Sequence, residues 1–183
     1  MYRLIVFVLA IATAVGATLG VSAGAGEASA LRDALTERFR VSRIDVQGPA
    51  VEGHVVTKGT VLRLRHDGVP ANVLRSIQAN TKSPRFHVRD YARVEVRQDG
   101  LHPFAPGVLS LTKGTQIVIL DVKVDADRVR LFTHTLEPVP MPSGRAGYGC
   151  TEFVFVFDPD TLQRADVGTV ANRIDEWLAV SAG

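Results

Sequence analysis

Cysteine is nearly absent from this sequence, and its scarcity excludes one whole means of stabilisation. Cys150 is the single cysteine in 183 residues, so no disulfide can form within the chain and no paired cysteines can bind a metal ion. The fold must therefore be held together by packing. Cys150 could be a reactive thiol or form an intermolecular bridge, but free cysteine is usually a small buried side chain, and we predict burial beside a strand.

Catalytic motifs are missing as well. The sequence contains no Gly-x-Ser-x-Gly elbow, no His-Glu-x-x-His helix and no glycine-rich loop that would cradle a phosphate. The five histidines are spread singly along the chain, outside any recognised metal-binding pattern: His54, His66, His87, His102 and His134. We therefore predict no catalytic residue, no metal and no cofactor. A thiol and base pair of His134 with Cys150 would require their two strands to adjoin.

The N-terminus is typical of an export signal. Met1-Tyr2-Arg3 is a short basic start, an apolar stretch follows from residue 4 to about 15, and small residues favour cleavage after Ala25. The alternative is a retained membrane anchor, since residues 4–23 carry no charge and are about long enough to span a bilayer. The sequence thus predicts a periplasmic or secreted protein after removal of residues 1–25, with an inner-membrane-anchored protein as the alternative.

One short phrase occurs twice. Thr57-Lys58-Gly59-Thr60 returns 55 positions later as Thr112-Lys113-Gly114-Thr115, each time between two β-rich runs. A Lys-Gly pair in this setting predicts a tight reversal in which glycine takes a positive φ and lysine stays in water. The repeat therefore predicts two related β units, at residues 28–100 and 108–181.

Hydrophobic periodicity supports a mainly β fold. Residues 85–98 alternate between apolar and basic positions, as one strand or two. Residues 116–124 and 128–136 predict a hairpin, and 151–157 a phenylalanine-rich strand. The spacing predicts a connection with one helical turn over 70–84 and a rigid linker over 102–107.

Helical patterns occur near both ends of the exported chain. Leu31, Leu35 and Phe39 recur at intervals of four within 28–39, with Ser29 placed to cap that helix. A final helix is predicted to begin after the N-cap Asp166 and to carry an apolar stripe: Val167, Val170, Ile174, Trp177 and Leu178. The predicted fold class is mainly β, α+β at the margins, with two small related β units flanked by an N-terminal and a C-terminal helix.

Residues 111–135 resemble bacterial SH3-like β-barrel modules, in which a Lys-Gly turn opens a strand, a polar turn follows and the chain returns. Most of the exported chain is more loosely similar to uncharacterised secreted bacterial proteins that end in a phenylalanine-rich strand and a short helix. The SH3-like resemblance implies a binding or scaffolding role in the cell envelope, with no catalytic residues. The first copy of the phrase lacks the long apolar return strand of residues 128–136.

The small net charge of +2 hides an asymmetry along the chain. Residues 54–98 carry a net charge of +6, whereas residues 99–183 carry −4. A basic face that binds an anion is predicted if the arginine-bearing strands pair: Arg63, Arg65, Arg85, Arg89, Arg93 and Arg97. The alternative interpretation is a solvated sheet face.

A second candidate site is the Gly-rich loop of residues 137–149, where Arg145 and an apparently exposed Tyr148 stand among glycines. Taken together, the sequence predicts a non-enzymatic binding or structural module of the bacterial envelope. The candidate partners are an envelope protein, an anionic lipid headgroup or an acidic polysaccharide, and the exported address disfavours nucleic acid. The alternative is a small envelope hydrolase or thiol-dependent enzyme whose site forms from separated residues.

Overall fold

The computed structural model describes residues 23–44, 54–78, 85–88, 90–164 and 166–181. Over these residues the protein is mainly β, as the periodicity predicts, with a curled sheet that forms half a barrel. Residues 1–22, which hold most of the predicted signal and of the alternative anchor, lie outside this description. None of the helices within the described ranges combines the length and apolar character needed to cross a bilayer.

Three helices and fifteen strands are described. They are α1 (Ala23–Phe39), β1 (Arg43–Ile44), β2 (Val55–Thr57), β3 (Val61–Leu64), β4 (Val69–Val73), β5 (Arg75–Gln78), β6 (Arg85–Val88), β7 (Ala92–Arg97), β8 (Gly100–Pro103), β9 (Leu109–Leu111), β10 (Gln116–Val124), β11 (Arg128–Thr135), β12 (Val139–Pro140), β13 (Ala146–Gly147), β14 (Gly149–Val156), α2 (Pro159–Gln163), α3 (Val167–Asp175) and β15 (Leu178–Val180).

The main sheet runs in the order β15-β3-β10-β11-β14-β4-β9, and β7 and β8 extend it beside β14. All of its pairs are antiparallel except β7 with β14, which run parallel. The predicted hairpin of β10 and β11 is confirmed, and a bulge shifts its register between Ile119 and Asp121. Strands from both predicted units, 28–100 and 108–181, alternate within this one sheet, because β3 lies between β10 and β15.

The larger of two apolar clusters, which is the main core, lies on one face of the sheet. Alternate residues point to opposite faces of a strand, and Val94, Val96, Phe153 and Phe155 turn inward with almost no exposed surface. Helix α1 contacts β10 there and adds the three side chains that the spacing predicted, Leu31, Leu35 and Phe39, all without exposed surface. We call the opposite side of the sheet the outer face.

The predicted N-cap of α1 is wrong. The helix begins at Ala23, six residues before Ser29, so Ser29 lies inside it and accepts a hydrogen bond from Arg32 Nη2 at 3.3 Å. Three alanines in the six residues before Ser29 are strong helix formers and offset the low helix propensity of the two glycines among them. The cleavage position favoured by the sequence, after Ala25, falls within the first turn of α1.

The two copies of Thr-Lys-Gly-Thr do not form the predicted reversals between paired strands. β2 pairs with β1 and β3 with β10, while β9 pairs with β4, so neither copy joins two neighbours in a sheet. Gly114 has the expected positive φ of 87°, but Gly59 does not have a positive φ. Lys58 and Lys113 are both exposed, as predicted.

Two other segments differ from the prediction because strand pairing overrides their local pattern. Residues 70–73 and 75–78 lie in β4 and β5 in place of a helical turn, and residues 79–84 of the predicted connection lie outside the description. The predicted linker 102–107 begins inside β8, which pairs with β7. Residues 85–98 contain two strands, the second of the two predicted alternatives, and β6 pairs with β5 in a ribbon of its own.

The C-terminal helix begins as predicted, with Asp166 as its N-cap, but it ends at Asp175. Val170 and Ile174 are buried, whereas Leu178, which the stripe placed on the helix, belongs to β15. The Asp166 carboxylate accepts hydrogen bonds from the N–H groups of Gly168 and Thr169 and from the Thr169 hydroxyl. The hydroxyl bond, followed by the backbone bonds, lowers the pKa of Asp166.

We expect replacement of Asp166 by alanine to lower the melting temperature at neutral pH, because the first turn of α3 loses its acceptor. Since the pKa of Asp166 is lower in the folded state, its contribution is complete above the unfolded-state pKa and is lost as the pH falls through the folded-state value. Thermal melts from pH 7 down to pH 2 should therefore show the wild type and Asp166→Ala converging. Asp166→Asn, which also caps, should stay more stable than Asp166→Ala at neutral pH; equal melting temperatures for these two variants would contradict the capping role.

Candidate binding surface

Four arginines share the outer face of three neighbouring strands. Arg93 and Arg97 lie on β7, Arg128 and Arg130 lie on β11, and β14 runs between them. This placement follows from alternation, because the residues between them on each strand, such as Val94 and Val129, point into the core. We call these four arginines, with Glu95 and Glu152 among them, the arginine face.

Glu152 holds the centre of the arginine face. Its Oε1 lies 3.4 Å from Nη1 of Arg130, and its Oε2 lies 3.8 Å from Nε of Arg93. The register explains both contacts, since β14 lies directly between β7 and β11 and Glu152 is opposite Arg93. One carboxylate thereby orients two guanidinium groups from different strands.

A second set of ion pairs orients the other two arginines. Arg97 Nη2 donates to Glu95 Oε2 at 3.1 Å, and Arg128 forms two bonds to Asp127, with Nη2 at 2.6 Å from Oδ2. The hydrogen bond from Glu95 and its negative charge raise the pKa of Arg97. The bond to Asp127 raises the pKa of Arg128, and the same bond lowers the pKa of Asp127. Arginine is charged with or without such partners, so the main effect of these pairs is to fix the orientation of the two guanidinium groups.

On the β7 side of the arginine face, the carboxylates lie below the guanidinium groups. The side chains of Glu152 and Glu95 are only 12% and 16% exposed, whereas those of Arg93 and Arg97 are 37% and 55% exposed. Each guanidinium has five N–H donors, and its glutamate occupies only part of this set. An incoming ligand therefore meets the N–H groups of Arg93 and Arg97 first.

The β11 side of the arginine face is arranged differently. Asp127, 39% exposed, binds Arg128, which is 35% exposed. Asp125, 43% exposed, accepts Arg130 Nε at 2.9 Å, and Arg130 is only 26% exposed. On this side the carboxylates are at least as exposed as the arginines that they balance.

Aromatic rings border the arginine face. Phe104, 58% exposed, has its ring centroid 4.7 Å from the guanidinium carbon of Arg93. Phe132 lies between Lys123, whose Nζ is 5.1 Å from the ring centroid, and Arg130, at 5.7 Å. Such stacking holds long side chains in one orientation and leaves part of each ring in water.

The predicted basic face is only partly assembled. Arg93 and Arg97 belong to the arginine face, but Arg63 and Arg65 do not, because β3 and β7 never pair and are separated by β10, β11 and β14. At about 4.8 Å per strand spacing, they stand roughly 19 Å away. Arg63 instead donates from Nε to Ser181 Oγ at 2.9 Å, and Arg65 is exposed beyond the end of β3. The condition on which the predicted basic face depended, pairing of the arginine-bearing strands, is therefore not met for β3 and β7.

Two further predicted arginines cannot be placed in the site. The backbone of Arg85 lies in β6, outside the main sheet, and its side chain is outside the description. Arg89 lies outside the described residues altogether.

The loop candidates separate. Arg145 is exposed, and its carbonyl accepts the N–H of Met141 at 2.8 Å in the short ribbon of β12 and β13. Tyr148 was predicted to be exposed and is in fact 7% exposed. Its ring stacks on His134 at 4.8 Å, just before β14 begins, so the chain has already left the loop and joined the sheet. Burial, with a smaller effect of the charge of Glu137, raises the pKa of Tyr148.

His134 and Cys150 are direct partners across β11 and β14, so the adjacency that a thiol and base pair requires does occur. His134 Nδ1 lies 2.7 Å from the Thr135 carbonyl oxygen, and a carbonyl can only accept, so Nδ1 carries the proton. Both side chains have no exposed surface, and Cys150 is buried in a strand as predicted. No substrate can reach the thiol in this conformation.

The sequence-based prediction missed Arg128, Arg130, Glu152 and Phe132. For the three residues on β11, the sequence did indicate a shared face, because Arg128, Arg130 and Phe132 occupy every second position. What the local pattern lacked was the parallel pairing of β7 with β14, which brings Arg93 beside Glu152. Within the described residues, no three side chains of the metal-ligating types converge.

Comparison with protein families, curated proteins and solved structures found no match to this chain.

Proposed function

We propose that this protein is an exported, non-enzymatic binding module of the bacterial envelope, and that its arginine face binds anionic lipid headgroups. The observation that carries the proposal is the layering of the β7 side of that face, where Glu95 and Glu152 lie below the more exposed guanidinium groups of Arg93 and Arg97. Guanidinium forks match the oxygens of a phosphate, and the glutamates hold Arg93 and Arg97 in place before any ligand arrives. The loss of side-chain entropy on binding is correspondingly smaller.

The aromatic border favours a lipid surface over an acidic polysaccharide. Phe104 is the most exposed aromatic ring on this face, and it stands beside Arg93. At a bilayer surface, arginines pair with headgroups while neighbouring rings enter the interfacial layer. The resemblance of residues 111–135 to SH3-like modules accords with a binding role, and the SH3-like architecture and the two related units remain part of the proposal.

We expect the double variant Arg93→Gln/Arg97→Gln to bind vesicles that contain phosphatidylglycerol about thirty-fold more weakly than the wild type. Each basic side chain near an anionic surface contributes about 1 kcal/mol, so the two together contribute about 2 kcal/mol. The matched control is Arg38→Gln/Arg164→Gln, which removes the same charge from α1 and the segment after α2. Co-sedimentation at several salt concentrations measures the affinity.

Glutamine preserves length and some hydrogen bonding, so circular dichroism should show both double variants folded. Equal loss of binding in the two would show that only net charge matters and would contradict a specific face. Salt-insensitive binding, or none to phosphatidylglycerol vesicles by the wild type, would remove the lipid proposal. Binding to alginate without binding to vesicles would instead support a polysaccharide.

The alternative, a thiol-dependent enzyme, has one observation in its favour, the cross-strand pairing of His134 with Cys150. A nucleophile must be reached by its substrate, and both residues are covered by Tyr148 and by the apolar cluster that includes Ile44 and Leu74. The arginine face is open to its ligand as it stands. Binding is therefore the function that the geometry supports best.

A further inference from the structure

A groove of about 580 Å³ runs between α1 and the second half of β10. Residues from both walls line it: Arg32, Asp33 and Thr36 from α1, Val41 from the following segment, 120–124 from β10 and Asp125 just after it. Its apolar part includes Val41, a valine that is 38% exposed. The groove lies on the edge of β10 that faces away from β11, and it borders the arginine face at Asp125, which is paired with Arg130 at 2.9 Å.

This edge of β10 is occupied over only part of its length. β3 pairs with Gln116–Val118, and Ser42 N–H then donates to the Ile119 carbonyl at 2.7 Å. Beyond Ile119, the described part of the chain supplies no further strand to this edge. An extended strand bordered by a helix is the geometry into which peptides add as an extra strand.

The bulge in β10 determines which backbone groups face the groove. The Gln116 carbonyl accepts the Leu136 N–H, so the backbone groups of Gln116 point toward β11. Successive residues of a strand direct their N–H and C=O groups to opposite edges, so those of Ile119 point away from β11. After the bulge, the Asp125 N–H donates to the Arg128 carbonyl. The extra residue has therefore reversed the pattern: before the bulge the even-numbered residues bond to β11, and after it the odd-numbered residues do. Val122 and Val124 consequently direct their N–H and C=O groups into the groove.

One side chain already imitates a missing partner. Asp121 Oδ1 accepts the Val122 N–H at 2.9 Å, so its carboxylate stands where the carbonyl of an added strand would be. Asp121 is exposed and, among the described residues, forms no ion pair. It can turn outward when a peptide carbonyl replaces it, because a solvated carboxylate loses little by leaving a single N–H.

One carboxylate of the groove is available to a basic ligand. Asp33 is paired with Arg32 at 2.9 Å, and Asp125 is paired with Arg130 Nε at 2.9 Å. Lys123 lies over the Phe132 ring. Among the described residues, Asp121 is the carboxylate of the groove that forms no ion pair, so it has the greatest capacity to attract a cation.

We propose that the groove between α1 and β10 binds an extended, basic peptide segment of a partner protein as an added strand beside Val122 and Val124. Its alternate apolar side chains would enter the groove near Val41, and a lysine or arginine would meet Asp121. This interaction goes beyond the proposed lipid binding and uses other residues. Residues 45–53 of this chain match the groove less well, because Asp45 and Glu52 would face its carboxylates.

The test begins with selection of phage-displayed random nonapeptides on the immobilised protein. Enriched sequences should alternate apolar residues and contain lysine or arginine, and the best one is then synthesised. Its affinity is expected to fall at least about tenfold in Val124→Pro, which removes one groove-facing N–H and blocks an added strand. Val124→Ala keeps that N–H and should retain binding within a few-fold.

A second variant and a second measurement guard against misfolding. Asp121→Lys changes an exposed side chain and should lower the affinity for the basic peptide at least about tenfold. Hydrogen exchange should show that the Val124 amide is protected only when the peptide is present. Any one of three outcomes would overturn the proposal. They are failure to enrich such a peptide, equal peptide affinity of Val124→Pro and Val124→Ala, and protection of the Val124 amide from exchange when no peptide is present. No lipid is present in these assays, so their failure is distinct from failure of the proposed lipid binding.

Discussion

Replacing Gly59 by alanine is expected to destabilise the protein by about 3 kcal/mol or more, whereas the same change at Gly114 should cost about 1 kcal/mol. A Cβ on Gly59 would lie 1.9 Å from the carbonyl oxygen of Arg40 and 2.9 Å from the carbonyl carbon of Val41. Both are backbone atoms, which cannot rotate away. The two copies of the repeated phrase therefore need glycine for different reasons.

A Cβ at Gly59 would also disturb the hydrogen bonds that hold the segment just after α1 in place. Gly59 N–H donates to Ser42 Oγ at 2.8 Å, Thr60 N–H donates to the Arg40 carbonyl at 2.9 Å, and Ser42 N–H donates to Ile119. Each such bond contributes about 1 kcal/mol net, so moving the segment of residues 40–42 forfeits about 3 kcal/mol. Against a total stability of about 5–15 kcal/mol, this is a large fraction.

Gly114 is the matched control. A Cβ there would meet no atom within 4 Å, and its positive φ of 87° is the only obstacle. Denaturant unfolding of Gly59→Ala and Gly114→Ala under identical conditions measures both free energies of unfolding. Similar losses in the two variants would contradict the different roles assigned to the two glycines.

Sequence alone predicts which residues of a strand are buried, but not which distant segments come into contact. Alternation along β7 and the apolar run of β10 identified their buried residues correctly, because the period of two depends only on the strand itself. The turn of residues 125–127 likewise fixed the β10–β11 hairpin. The role of Gly59 could not be foreseen, because its neighbour in space, Arg40, comes from the end of a helix 19 positions earlier.

The candidate site was predicted only in part, for the same reason. Arg93 and Arg97 were identified from the alternation of one strand, but Glu152, the partner of Arg93, lies more than fifty residues away on a parallel neighbour. Parallel pairs are joined by long crossovers, and no local turn marks them. Tyr148 shows the converse error, since its glycine-rich surroundings suggested exposure while stacking on His134 buried it.

Replacement of Leu35 by alanine is expected to reduce the free energy of unfolding by about 2–5 kcal/mol. Leu35 has no exposed surface and belongs to the same core cluster as Ile119 and Phe155. Truncation leaves a cavity that the sheet can fill only partly, because its strands are fixed by their neighbours. Leu35 also holds α1 over β10, so the loss should loosen one wall of the groove.

The matched control is Glu37→Ala, an exposed position on the same helix that should change stability by no more than about 0.5 kcal/mol. Denaturant unfolding gives both values, and a loss below 1 kcal/mol in Leu35→Ala would show that α1 does not pack as described. Because Leu31, Leu35 and Phe39 all follow Ala25, a chain shortened by cleavage after that residue would keep these three buried side chains of α1. Removal of the predicted signal is thus compatible with the folded core, whereas any loss that reaches Leu31 would remove part of it.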